Sequence, residues 1–114
     1  TSEKVALGWF LDGKVSCVFG THTHIPTADA RILPKGTAFM TDVGMTGPYD
    51  SVIGRRTDQI LERFLLGLPV KSDVAQGNVQ LHALVVDIDQ YSGKATRVER
   101  LMKTLEEAVR DARD

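Results

Sequence analysis

Val15-Ser16-Cys17-Val18-Phe19-Gly20-Thr21-His22-Thr23-His24 is a run of β-branched and aromatic residues that stops at a glycine and continues into two histidines one residue apart. An apolar run of this kind, bounded by Gly13 and Gly20, reads as a short buried strand. The histidines then follow its C-terminal end. Side chains two apart in an extended segment point to the same side, so His22 and His24 project together. Imidazole suits zinc, iron, manganese and copper, and a pair just beyond a rigid strand stays open to a cleft. Catalytic zinc sites take three protein ligands, so the pair needs further donors. Asp29, Asp42 and Asp50 are the acidic candidates nearby. Asp42 also reads as a loop residue bonded to backbone amides. His82 lies inside an apolar strand and reads as a core histidine. Cys17 reads as a small buried hydrophobe, with no cationic neighbour to activate it.

Upstream, Thr1 to Asp12 carries Val5, Ala6, Trp9 and Phe10 at helical spacing, and Asp12-Gly13-Lys14 follows as a stop. Downstream, Ala30 to Leu33 and Thr37 to Val43 flank the turn Pro34-Lys35-Gly36, which predicts an antiparallel hairpin. Residues 44–54 read as a glycine-rich loop, of a length that is often functional. Thr57 is the expected N-cap of a helix whose stripe Ile60, Leu61, Phe64, Leu65 and Leu68 packs on a sheet and ends at Pro69. Val79 to Ile88 is apolar on both faces and reads as a buried central strand. Gln90-Tyr91-Ser92-Gly93 then turns the chain into a hairpin strand from Lys94 to Leu101, with a last helix from about Lys103. Strands clustered between helices make an α/β domain, taken as a single domain over residues 1–114.

With 114 residues, 42% of them hydrophobic and 25% charged, the chain has the composition of a globular domain. Fourteen Lys and Arg against fifteen Asp and Glu leave a net charge of −1, so no basic excess points to nucleic acid or an anionic membrane. One cysteine rules out an internal disulfide, and no segment reads as a signal or a membrane span. The expectation is a cytoplasmic protein.

Gly20-Thr21-His22-Thr23-His24-Ile25-Pro26-Thr27-Ala28-Asp29, followed by Met40-Thr41-Asp42-Val43-Gly44-Met45-Thr46-Gly47-Pro48-Tyr49-Asp50-Ser51-Val52-Ile53-Gly54, closely resembles the YmdB-like branch of the calcineurin-like metallophosphoesterases. The resemblance implies the C-terminal part of a four-layer α/β/β/α metallophosphoesterase sandwich. It implies that His22 binds one metal of a dinuclear centre and His24 the other, with two divalent or trivalent ions (Fe, Mn or Zn) and a bridging water as nucleophile. The expected reaction is hydrolysis of a small-molecule phosphodiester, in particular a 2′,3′-cyclic nucleotide. Thr21, Thr23, Asp42, Gly44, Thr46 and Gly47 are the expected substrate-binding or supporting residues. The family's earlier aspartate, bridging acid, asparagine and histidine ligands have no counterpart here. The chain is therefore expected to hold no catalytic residue of its own and to need the N-terminal portion of the same domain, with room for a homo-oligomer.

Two other readings compete. One is a non-catalytic structural or oligomerisation fragment that lacks the other ligands. The other, a zinc hydrolase of the metallo-β-lactamase type, is disfavoured because Ile25-Pro26-Thr27 supplies neither the aspartate nor the histidine that such motifs need close behind.

Overall fold

Asp12-Gly13-Lys14 does end a helix: α1 spans Ser2–Leu11, and the buried Asp12 carboxylate accepts the backbone N–H groups of Lys35 at 3.0 Å and Thr37 at 3.3 Å. The computed structural model describes residues 1–113. After α1 come β1 (Cys17–Phe19), β2 (Arg31–Ile32), β3 (Ala38–Met40), β4 (Gly47–Pro48), α2 (Thr57–Leu66), β5 (Val79–Ile88), β6 (Ala95–Thr104) and α3 (Leu105–Arg113). The chain forms two compact units. One holds Thr1–Met45 and His82–Leu101, and the other holds Thr46–Leu81 and the residues from Met102 onward.

In the first unit β3 is the middle strand of the order β1-β3-β2. It pairs in parallel with β1, placing Phe19 opposite Met40, and antiparallel with β2, as the Pro34-Lys35-Gly36 turn predicts. A parallel pair needs a crossover of a dozen or more residues. Residues 20–37 supply it, and they contain both histidines. The core is Leu33, Ala38, Phe39 and Met40, each at most 4% exposed. Helix α1 approaches this core through Gly8, where a Cβ would meet the Phe39 ring at 2.6 Å.

β1 itself is not buried as its composition suggests: Phe19 is 63% exposed. The remaining strands of this unit are the turn-proximal parts of β5 and β6, joined by a turn in which Asp89 accepts the N–H of Tyr91 at 2.8 Å.

In the second unit β4 pairs antiparallel with the start of β5, Gly47 opposite Gln80 and Pro48 opposite Val79. The glycine-rich segment 44–54 is thus not loop throughout. Helix α2 starts one residue earlier than expected. Arg56 is its N-cap, without a side-chain cap bond, and Thr57 is its first helical residue. It ends at Gly67 in the left-handed conformation, three residues after Phe64 and before Pro69 is reached. Only Ile60 of its apolar stripe is buried, while Leu65 is 84% exposed. β5 is central in the order β4-β5-β6 as expected, yet Leu81, Val85 and Ile88 remain exposed.

Candidate metal centre

Because β1 and β3 run in parallel, their carboxyl ends emerge on the same side, where ligand sites of open α/β sheets form. The histidine segment leaves β1 at this end, and Thr41-Asp42 leaves β3 beside it. Gly20 joins the two: its N–H donates to the Met40 carbonyl at 3.1 Å, and its own carbonyl accepts Val43 N–H at 2.9 Å. A Cβ on residue 20 would lie 2.1 Å from the Thr41 carbonyl oxygen, so only glycine fits.

His22 and His24 are not in extended backbone. Their φ angles are 104° and 69°, and the other non-glycine residues at positive φ among those described are Ile53 and Asn78. The alternation of a strand therefore does not place these rings. A tight non-extended loop does. Backbone of this kind costs about 1–3 kcal/mol per non-glycine residue and persists only where its surroundings over-determine it.

The surroundings centre on Asp42, which is fully buried. Its Oδ2 accepts the Thr23 N–H at 2.8 Å and the Thr23 hydroxyl at 2.7 Å, and its Oδ1 accepts the Gly44 N–H at 2.8 Å. Lys4 of α1 sits 3.5 Å from Oδ2 and also donates to the Thr21 carbonyl. Burial acts to raise the Asp42 carboxyl, but the bonds from Thr23 and Gly44 and the charge of Lys4 outweigh it and hold it below the ordinary carboxylate range. Asp42 is thus an ionised loop anchor bonded to backbone amides.

Around His24 the same network continues. Its carbonyl accepts Met45 N–H at 3.2 Å, and the Thr23 hydroxyl oxygen accepts Ile25 N–H at 3.3 Å. His22 is exposed and His24 half-buried.

The other acidic candidates are engaged elsewhere. Asp29 accepts the hydroxyls of Thr27 and Thr41 and the Thr41 N–H. Asp50 belongs to the second unit, where Asn78 Nδ2 donates to it at 3.1 Å. Of the expected supporting residues, Thr21, Thr23, Asp42 and Gly44 share the first unit with the histidines, while Thr46 and Gly47 open the second. His82 is half-buried, and burial, then the charge of Arg100, push its imidazole below the usual range and favour the neutral form. Lys4 carried no signal in the sequence, since a lysine in the first turn of a helix ordinarily reads as solvated surface.

The donor set fits a metal as part of a shell. Two imidazoles on a strained, pinned loop suit a transition metal, but among the described residues no three His, Cys, Asp or Glu side chains converge.

Two solved structures share this fold. A crystal structure of a phosphatase from Mycoplasma pneumoniae matches with a TM-score of 0.86 and 40% identity, covering 90% of this chain and 37% of that one. A crystal structure of a hypothetical protein from Thermus thermophilus matches with a TM-score of 0.84 and 46% identity, covering 90% and 40%. The fold is therefore a mixed α/β one of the metallophosphoesterase class.

Within that class the chain belongs to the YmdB-like protein family, whose model matches residues 1–101. A 2′,3′-cyclic-nucleotide 2′-phosphodiesterase of Bacillus subtilis (strain 168) is 56% identical over 102 residues, covering 90% of this chain and 39% of that protein. The chain thus spans about two fifths of the relatives that it matches. No described helix is long and apolar enough to cross a membrane.

Proposed function

We propose that this chain supplies the His-x-His ligands, His22 and His24, of a dinuclear metal centre in a phosphodiesterase acting on 2′,3′-cyclic nucleotides. The observation that carries this reading is the positive φ of both histidines on a loop pinned by the buried Asp42. Strained backbone at His22 has no packing purpose, since the residue is exposed. It does fix the Cα–Cβ directions from which the two imidazoles project. The similarity to the Bacillus subtilis phosphodiesterase supports the substrate class.

His22 and His24 would each hold one of two Fe, Mn or Zn ions, with both imidazoles neutral and neither acting as acid or base. When bound, such ions lower the pKa of water, neutralise phosphate charge and align in-line attack. The remaining ligands would come from the part of the complete protein that lies outside this sequence, which is one domain with it in this reading. Asp42 holds Thr23 and Gly44 in place, leaving the backbone around Thr21 to approach the phosphodiester.

A second reading has one observation in its favour: with no convergent third ligand among the described residues, the segment by itself is a structural or oligomerisation module. The two part company in the complete protein. Elemental analysis and hydrolysis of bis-para-nitrophenyl phosphate in manganese, then of 2′,3′-cyclic AMP, are measured for the wild type, His22→Ala and His24→Ala. The expected outcome is loss of bound metal and a fall in rate of more than about 100-fold for each variant. Full metal content and full rate in both would remove the assignment.

A further inference from the structure

His22 is flanked by two peptide groups, and each is held by one member of the same half-buried ion pair. The carbonyl of the first, at Thr21, accepts a hydrogen bond from Lys4 Nζ. The N–H of the second, at Thr23, donates to Asp42 Oδ2 at 2.8 Å. Lys4 and that same Oδ2 are 3.5 Å apart. The φ and ψ of His22 are the rotations between these two peptides, so fixing both planes fixes the residue in its unfavourable conformation, φ 104°.

We propose that Lys4 is a positioning residue for the metal site, acting with Asp42 as a clamp that sets the backbone angle of His22 and hence the direction of its imidazole. This rests on the reading of His22 as a metal ligand. Helix geometry explains how a lysine comes to do this. Lys4 and Gly8 are four residues apart and share one face of α1. Gly8 lets the helix close on Phe39 in β3. Lys4, one turn earlier, then reaches the carboxyl end of the same strand, where Asp42 lies.

A buried carboxylate without a counter-charge is expensive. Lys4 therefore both neutralises Asp42 and orders Thr21, and its side chain is only 33% exposed. The Thr23 hydroxyl extends the clamp to the far side of the pair, donating to Asp42 and accepting from Ile25 N–H.

Groups that orient metal ligands without touching the metal typically change affinity by about 10–100-fold when removed. In the complete protein, manganese or zinc affinity is measured by chelator competition for the wild type, Lys4→Met, Lys4→Arg and His22→Ala, with melting temperatures alongside. Lys4→Met keeps the aliphatic stem and loses the charge. It should weaken metal binding by about 10-fold or more, and Lys4→Arg should stay within about threefold of the wild type. A merely structural lysine would lower the melting temperature and leave affinity untouched, and wild-type affinity in Lys4→Met overturns the proposal.

If Lys4→Met does not fold, Thr23→Val carries the same expectation, because it removes the hydroxyl and keeps the backbone N–H. His22→Ala separates the two ideas. Unchanged affinity there sinks the ligand assignment itself. Lost affinity there, with wild-type affinity in Lys4→Met, sinks only the clamp.

Discussion

Thr41 gives both its backbone N–H, at 3.1 Å, and its hydroxyl to the carboxylate of Asp29. The residue before Asp42 is thereby tied to the far end of the histidine segment, where the Thr27 hydroxyl also donates to Asp29 at 2.6 Å. Arg100 closes the same region with a 2.9 Å bond to the Thr27 carbonyl. The loop that presents the histidines is thus held between them by Asp42 on Thr23 and at its far end by Asp29 on Thr27 and Thr41.

Acid sensitivity follows from the two carboxylates. Burial acts to raise Asp29, but the hydroxyls of Thr27 and Thr41 and the Thr41 N–H prevail, and it is held below the ordinary range, as Asp42 is. A group with a depressed folded-state pKa stabilises above its unfolded pKa, and that contribution fades as pH falls through the folded value. Stability of this loop should be flat near neutrality and decline once pH drops below the usual carboxylate range. Asp29→Asn should cost about 1–3 kcal/mol at neutral pH and should melt with a shallower acid limb than the wild type. Thermal melts across a pH series check both, and an unchanged acid limb would remove Asp29 from the account.

Gly20→Ala should destabilise the fold by about 1–3 kcal/mol or more. The added methyl would sit 2.1 Å from the Thr41 carbonyl oxygen, and two paired strand ends must separate to admit it. Chemical denaturation measures the loss. A variant as stable as the wild type would mean that β1 and β3 part more easily beyond Met40 than their hydrogen bonds indicate.

Gly67→Ala serves as the contrast. Gly67 ends α2 at φ 69° with its N–H bonded to the Arg63 carbonyl at 2.9 Å, and a Cβ there would meet nothing within 4 Å. The penalty is purely conformational, about 1 kcal/mol. Stability should fall by that amount with metal affinity unchanged, read by the same melts and chelator competition.

Local chemistry made much of the fold legible. The stop at Asp12-Gly13-Lys14, the β2–β3 turn at Pro34-Lys35-Gly36 and the long β5–β6 hairpin are set by residues adjacent in sequence, and they stand where turn chemistry puts them. Burial was not legible. Apolar spacing marks Trp9 and Phe10 as the inner face of α1, yet they are 49% and 67% exposed. The helix instead turns Gly8 and Lys4 toward β3, and small size and a single ion pair leave no hydrophobic signature. Trp9 and Phe10 are met by Arg31 and Lys14, whose charged groups lie 5.4 Å and 4.2 Å from the ring centres. The histidines were legible by type and place but not by conformation, because nothing in Thr21-His22-Thr23-His24 announces a positive φ where glycine is absent. That conformation is imposed from residues 4 and 42, beyond the reach of any local pattern.

The strain at His22 makes a prediction about stability that runs against the one about activity. Replacing a non-glycine residue at positive φ by glycine relieves about 1–3 kcal/mol of backbone strain and returns about 0.4–1 kcal/mol through the greater freedom of the unfolded chain. Alanine at the same position removes the imidazole but keeps the strain. His22→Gly should therefore be more stable than His22→Ala by about 1 kcal/mol in metal-free protein, although both lose the imidazole equally. Equilibrium denaturation of the two variants in the presence of chelator measures the difference. If alanine proves as stable as glycine, the loop is not strained, and the clamp at Lys4 and Asp42 has nothing to hold. If glycine is the more stable, residue 22 is a position where the chain gives up folding energy to aim a histidine, as sites that trade stability for function do.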